Sequence, residues 1–192
     1  MDGERRQPNP AQPGGRRPAP GQLELVQAFI NTHYDLAVDH GADVLRTPER
    51  LGSWLAGRGL IELPAEVGRL DLRRALTARE RLREIARSGE RVDGLDEAAR
   101  GAPVELRFGP DGPRLVAADG GPAGAIGVLL ATAAFAMIDG SWARLKICPG
   151  EDCGWAFYDH SRNQAGRWCS MAVCGGRAKA RAHYRRRRAD GP

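Results

Sequence analysis

Four cysteines are the only thiols in the 192-residue chain, and all fall between positions 148 and 174 as Cys148-x4-Cys153-x15-Cys169-x4-Cys174. Two closely spaced pairs separated by a hairpin-length spacer are what a tetrahedral thiolate site requires, one pair supplying each of two opposite edges. Four thiolates close the coordination sphere of a zinc ion, so the metal expected here is structural. A catalytic zinc keeps one position open and uses histidine or carboxylate among three protein ligands. His160 and Asp159 stand in the spacer, but the four sulfurs fill the tetrahedron without them. An iron–sulfur cluster also takes four cysteines, and spacing alone leaves that alternative open. No apolar stretch follows Arg5 and Arg6, so no secretory signal is read and a reducing, cytoplasmic setting is expected, in which metal ligation is favoured over disulfides.

Immediately after Cys174 the chain turns basic, with Arg177, Lys179, Arg181, His183 and the run Arg185 to Arg188 spaced by alanines. Arg177, Arg181, Arg185 and Arg188 recur at four, four and three and form one stripe of a helix, flanked by Lys179. Such a stripe could neutralise phosphates or send a guanidinium fork to a guanine edge. Arg162 and Arg167 in the spacer are further phosphate candidates. Charge is distributed to match: residues 141–192 hold 11 basic against 4 acidic side chains, a net +7, whereas residues 1–140 hold 18 against 20. A basic end on a near-neutral body points to a polyanionic partner, with DNA the leading candidate.

The elements that must position these groups are mainly helical. Val26, Phe29, Ile30 and Ala37 predict an amphipathic helix over 22–38. Thr47-Pro48-Glu49 predicts the start of a second helix that ends at Gly57, with Leu51, Trp54 and Leu55 inside. A third helix is predicted from Pro64 to Arg87, burying Val67, Leu72, Leu76, Leu82 and Ile85 and turning its arginines to solvent. Alternation of Val104, Leu106 and Phe108 before a Gly-Pro-Asp-Gly turn predicts a hairpin over 103–119. The 14-residue apolar run Ala125 to Ile138 is too short to span a membrane and predicts a core helix over 123–139. Trp155, Phe157 and Tyr158 predict a short strand, and the segment from Trp168 a helix with Cys174 in its first turns. Residues 1–21, rich in Pro, Gly, Gln and Arg, predict a disordered tail. The fold class expected is therefore mainly α with a small β-hairpin, an α+β chain with a tail (1–21), a helical domain (22–140) and a zinc-bound hairpin-plus-helix module (141–188). Because that module has little core, chelation is expected to unfold it and leave the N-terminal helices largely intact.

The run Asp159, Ser161, Arg162, Arg167, Trp168, Cys169, Ser170, Met171, Cys174, Gly175, Arg177 and Lys179 closely resembles the CGNR-type zinc finger, over about 140–188. The family's Cys-Gly-Asn-Arg motif reads Cys174-Gly175-Gly176-Arg177 here, with glycine where the family has asparagine; both residues tolerate positive φ. Asn31-Thr32, Trp54-Leu55 and Gly59-Leu60 resemble the ABATE-type helical domain that precedes this finger in proteins described as stress-induced transcription regulators. The resemblance implies four zinc-binding cysteines, a module that binds DNA, and a role in transcription. The reading that combines both lines is a zinc-dependent DNA-binding regulator. Its N-terminal domain would bind a small molecule, a protein partner or another copy of itself, with Asn31, Thr32 and His33 as pocket candidates. The alternative is an interaction module with a purely structural zinc, contacting nucleic acid or acidic protein without sequence preference. No Ser/His/Asp arrangement, phosphate-cradling glycine loop or open metal site suggests an enzyme.

Overall fold

The computed structural model describes residues 11–34, 43–90, 93–110, 112–151 and 153–189. Among the described residues, six α-helices occupy Leu23–Ile30 (α1), Pro48–Ala56 (α2), Arg69–Ser88 (α3), Leu95–Ala99 (α4), Pro122–Ile138 (α5) and Gly176–Ala189 (α6). Two antiparallel hairpins interrupt them, Val104–Gly109 (β1) with Gly112–Ala117 (β2), and Leu145–Ile147 (β3) with Ala156–Tyr158 (β4). The α+β class expected from the sequence is the one observed.

Local chemistry sets most boundaries. Thr47 Oγ1 accepts from the Arg50 N–H and Pro48 occupies the first turn, which starts α2 where the Thr-Pro signal put it. Helix α1 ends at Ile30, short of the expected 38. Asn31 is turned onto strand β4, and the Thr32 hydroxyl donates back to the Phe29 carbonyl. Residues 35–38 of that predicted helix lie outside the described residues. Helix α3 begins at Arg69 and not at Pro64, because the Asp71 carboxylate accepts from the Gly68 N–H and caps the helix there. The residues just before it are not helical, Gly68 being extended, and Val67 packs against Gly52 of α2.

Helices α1, α2, α3 and α5 enclose the main core, with Phe29, Ile30, Leu51, Leu55, Leu82, Ile126 and Leu129 fully buried. Helix α5 seats on the base of the β1–β2 hairpin through two glycines. A Cβ at Gly124 would lie 2.8 Å from the Ala117 Cβ, and one at Gly127 would lie 2.6 Å from the Ala102 carbonyl oxygen. Only glycine permits that approach.

Strand β4 is buried on both faces and joins two cores. Ala156 and Tyr158 belong to the helical core together with Leu145 and Ile147 of β3. Trp155 and Phe157, on the alternate side, pack with the four cysteines, Tyr34 and Trp168 in a second cluster. The cysteine module is thus built on a hairpin that the helical core shares.

The expectation of a disordered tail over 1–21 does not hold for residues 11–21. They lie along the second core as a strap, with a 3-10 turn at Pro13–Gly15 and Ala19 buried. The Gln12 Oε1 accepts from the Gln27 amide and from the Trp155 indole N–H, which fixes the strap to α1 and to the cysteine hairpin together. Residues 1–10 of the predicted tail lie outside the described residues.

Candidate metal centre

The two cysteine pairs sit on two turns whose shapes explain the x4 spacing. In the first, the Cys153 N–H donates to the Gly150 carbonyl, and the Cys148 N–H to the Trp155 carbonyl, closing a knuckle at the end of the β3–β4 hairpin. Gly150 is packed into the site: a Cβ there would stand 3.1 Å from the Cys153 Cβ and 3.3 Å from the Cys174 sulfur. In the second, Met171–Gly175 forms a single wide turn in which the Gly175 N–H reaches back five residues to the Ser170 carbonyl. That five-residue closure brings Cys169 and Cys174, five apart, onto one point.

All four sulfurs are buried, and their Sγ atoms lie within 4.8 Å of one another. Cys153 and Cys169 are 3.7 Å apart, and Cys169 and Cys174 3.6 Å. A tetrahedral zinc with metal–sulfur bonds of about 2.3 Å has sulfur–sulfur edges of about 3.8 Å. The residues present therefore fit one tetrahedral ion. A cluster of several irons with bridging sulfides would hold its ligands farther apart than one tetrahedral edge, so this spacing disfavours that alternative. The electrostatics agree. The Cys148 sulfur accepts from the Cys153 and Cys169 thiols and from backbone N–H groups of Cys169 and Gly150, which holds its pKa far below the ordinary thiol value. Donating to Cys148 pushes Cys153 up to about 12 and raises Cys169, while burial is the main cause that raises Cys174. Four adjacent thiolates repel one another, and a cation at their centre is what allows all four to shed their protons.

Over residues 23–140 the sequence matches the family model for ABATE, described as a putative stress-induced transcription regulator. The chain belongs to the ABATE family. Residues 144–187, which carry the four cysteines, match the CGNR zinc finger. A search of curated proteins finds no match.

In this ABATE chain the spacer between the cysteine pairs is held by Asp159, which is fully buried. Its carboxylate accepts from the Ser161 N–H and hydroxyl, from the Gly166 N–H at 2.7 Å and from the Lys146 ammonium at 2.8 Å. Burial raises its pKa, but the Lys146 charge and these donors outweigh it, so the group stays well below the usual carboxylate range. Asp159 orders the loop and is no metal ligand. His160 faces the strap instead, its ring nitrogen 2.9 Å from the Pro18 carbonyl. The loop leaves Arg162 and Arg167 exposed, and Arg167 stacks over Trp168 at 5.4 Å beside the start of α6.

Helix α6 begins two residues after Cys174 and packs mainly on the Met171–Gly175 turn. Arg177, Lys179, Arg185 and Arg188 are exposed, whereas Arg181 is half-buried and paired with Glu151 at 3.5 Å. The exposed Tyr184 lies among the arginines of the predicted stripe. Gly176 has ordinary helical angles, φ −62° and ψ −48°, so the positive φ expected for the glycine–asparagine exchange is not used.

Three features escaped sequence reasoning. Arg16 of the strap donates to the Trp168 and Cys169 carbonyls at 2.9 and 2.7 Å, and its guanidinium lies 4.9 Å from the Phe157 ring centroid. Nothing in the composition of a Pro/Gly-rich segment marks that arginine. Arg79 and Arg83 do not face solvent as expected. Both are buried, on the stripe formed by Ala75, Ala78 and Leu82, and that helical spacing is a signal that could have found them. Arg79 clamps Asp43 with two 2.7 Å bonds, and Arg83 donates to Ile30 and His33 at the end of α1, to Gly154 beside Cys153, and to Glu80.

Of the pocket candidates, Asn31 is buried and bonded in both directions to the Ala156 backbone, in the manner of a neighbouring strand. Thr32 is buried between Phe29 and Arg79. His33 differs: its half-exposed ring lies 3.6 Å from Glu80, on the wall of a cavity of about 510 Å³ between α3 and the cysteine knuckle, which Tyr34, Arg87 and Glu151 also line. Among the described residues no helix is long and apolar enough to cross a membrane.

Proposed function

We propose that this chain is a cytoplasmic, non-enzymatic DNA-binding regulator of transcription, in which zinc on Cys148, Cys153, Cys169 and Cys174 fixes the orientation of α6 against a duplex. The observation that carries this reading is the junction at Cys174, where a buried ligand turn passes within two residues into a helix whose arginines face outward. Orientation is what base readout demands beyond simple charge. Arg177, Lys179, Arg185 and Arg188, with Arg162 and Arg167 on the ordered loop, supply the cationic contacts, and Arg181 joins them once released from Glu151. The N-terminal part senses a ligand or partner, and the cavity bordered by His33 is the place we assign for it, because its walls are α3 and the metal knuckle itself.

A second reading rests on Arg185 to Arg188. Four consecutive arginines point around the whole circumference of a helix, so some of them cannot enter the same groove, and they suit phosphate contact without sequence preference. Selection from a random duplex pool by zinc-loaded protein at near-physiological salt separates the two. A motif that is enriched by the native chain and lost with Cys169→Ser supports the regulator. Retention of duplexes with no motif, weakening steeply and uniformly as salt rises, supports the second reading.

A further inference from the structure

Helix α5 is seventeen residues without a single charge, yet one side of its C-terminal half is exposed while Thr132, Ala133 and Ala136 on the other side are buried. The face that carries Gly124 and Gly127 onto the hairpin continues through Ala131, Ala134, Phe135 and Ile138, and Phe135 and Ile138 are 57% and 80% exposed. The hairpin mirrors this. Val104, Leu106 and Phe108 share one face with their partners Ala117, Leu115 and Pro113. The Val104–Ala117 pair covers the two glycines, while Leu106 and Phe108 beyond it are 57% and 79% exposed. Two apolar faces that meet at the hairpin base therefore both run on past their contact, one along the strands and the other along the helix.

We propose that this notch is a two-fold interface between copies of the chain, in which the outer hairpin face of each copy packs on the exposed side of α5 of the other. The occupant follows from the contact already made within one chain, since the base of this hairpin fits this helix face with backbone-close packing. The same pairing made twice across a dyad is self-complementary, as a closed dimer requires. The area suffices. Val104, Leu106, Phe108, Phe135 and Ile138 together expose the equivalent of about three full side chains, on the order of 500 Å² at roughly 150–200 Å² each. With the small residues between them this approaches the roughly 800 Å² per partner of a standard interface. A patch of this size lies in the upper part of the roughly 300–600 Å² that the largest apolar patch on a monomer reaches, the range in which such patches often serve function.

Sedimentation velocity of the full zinc-loaded chain, from about 1 to 100 µM, tests the interface together with Phe108→Glu and Ile138→Glu variants. Because both side chains are largely exposed, each variant is expected to keep the native circular dichroism. The expected result is a dimer for the native chain and a monomer for either variant, with the dissociation constant raised at least 100-fold. A native chain that is monomeric across the range overturns the proposal, as does a dimer that both variants leave intact.

Discussion

Replacing Arg83 with methionine probes the joint between the metal knuckle and the helical core. Its guanidinium holds three main-chain carbonyls, those of Ile30, His33 and Gly154, and the Glu80 carboxylate at 3.0 Å. Methionine fills much of the volume but leaves three carbonyls without that donor, at about 1–3 kcal/mol for each one that water does not reach. Against this stands the cost of keeping a buried cation, which depresses the pKa of Arg83 and is recovered when the charge is removed. Glu80 keeps Arg79 as a partner. The net loss expected is about 3–5 kcal/mol, which at about 2–4 °C per kcal/mol lowers the melting temperature by about 6–20 °C. Since Gly154 adjoins Cys153, metal retention should fall as well. Calorimetry at saturating zinc gives the first number, and competition with a chromogenic chelator gives the second. Arg81→Ala is the control: its exposed pair with Glu84 should be worth under about 0.5 kcal/mol. A melting temperature for Arg83→Met within about 2 °C of native, with unchanged zinc affinity, would refute the role assigned to this residue.

Complete metal removal should loosen more than the C-terminal module, because strands β3 and β4 belong to the helical core. We expect the melting temperature of the whole chain to drop on chelation, and an unchanged helical transition would show that the two cores are uncoupled. Arg16→Ala should release the strap at a cost of about 1–2 kcal/mol, two partly exposed charged hydrogen bonds and one cation–π contact being lost. Its readouts are several-fold faster zinc loss and protease cleavage within residues 11–21, and native rates would count against the strap. Asp159 gives a pH dependence of defined sign. Its folded pKa lies well below its unfolded value of about 3.9, so its stabilisation is fully present above the unfolded value and is lost progressively as pH falls from there toward the folded one. Asp159→Asn should cost about 2–4 kcal/mol at neutral pH and flatten the acid limb of the stability profile, which urea titrations from pH 3 to 7 would measure.

What the sequence determined by itself is local. Zinc-type spacing, a Thr-Pro cap, a two-residue period before a Gly-Pro-Asp-Gly turn and an uncharged apolar run all act within a few positions, and each element they announced is present. The family resemblance was equally legible, because it rests on consecutive residues around Cys169 and Cys174. The tertiary structure decided what depends on partners distant in the chain. Whether Arg79 and Arg83 sit in water or in the core turned on carbonyls at 30, 33 and 154 and a carboxylate at 43. Asn31 ended α1 because Ala156, 125 residues away, offered a strand edge to bond. The Pro/Gly-rich strap is ordered because Trp155, Phe157 and the Cys169 carbonyl give Gln12 and Arg16 somewhere to bind, and no periodicity within residues 11–21 encodes that surface.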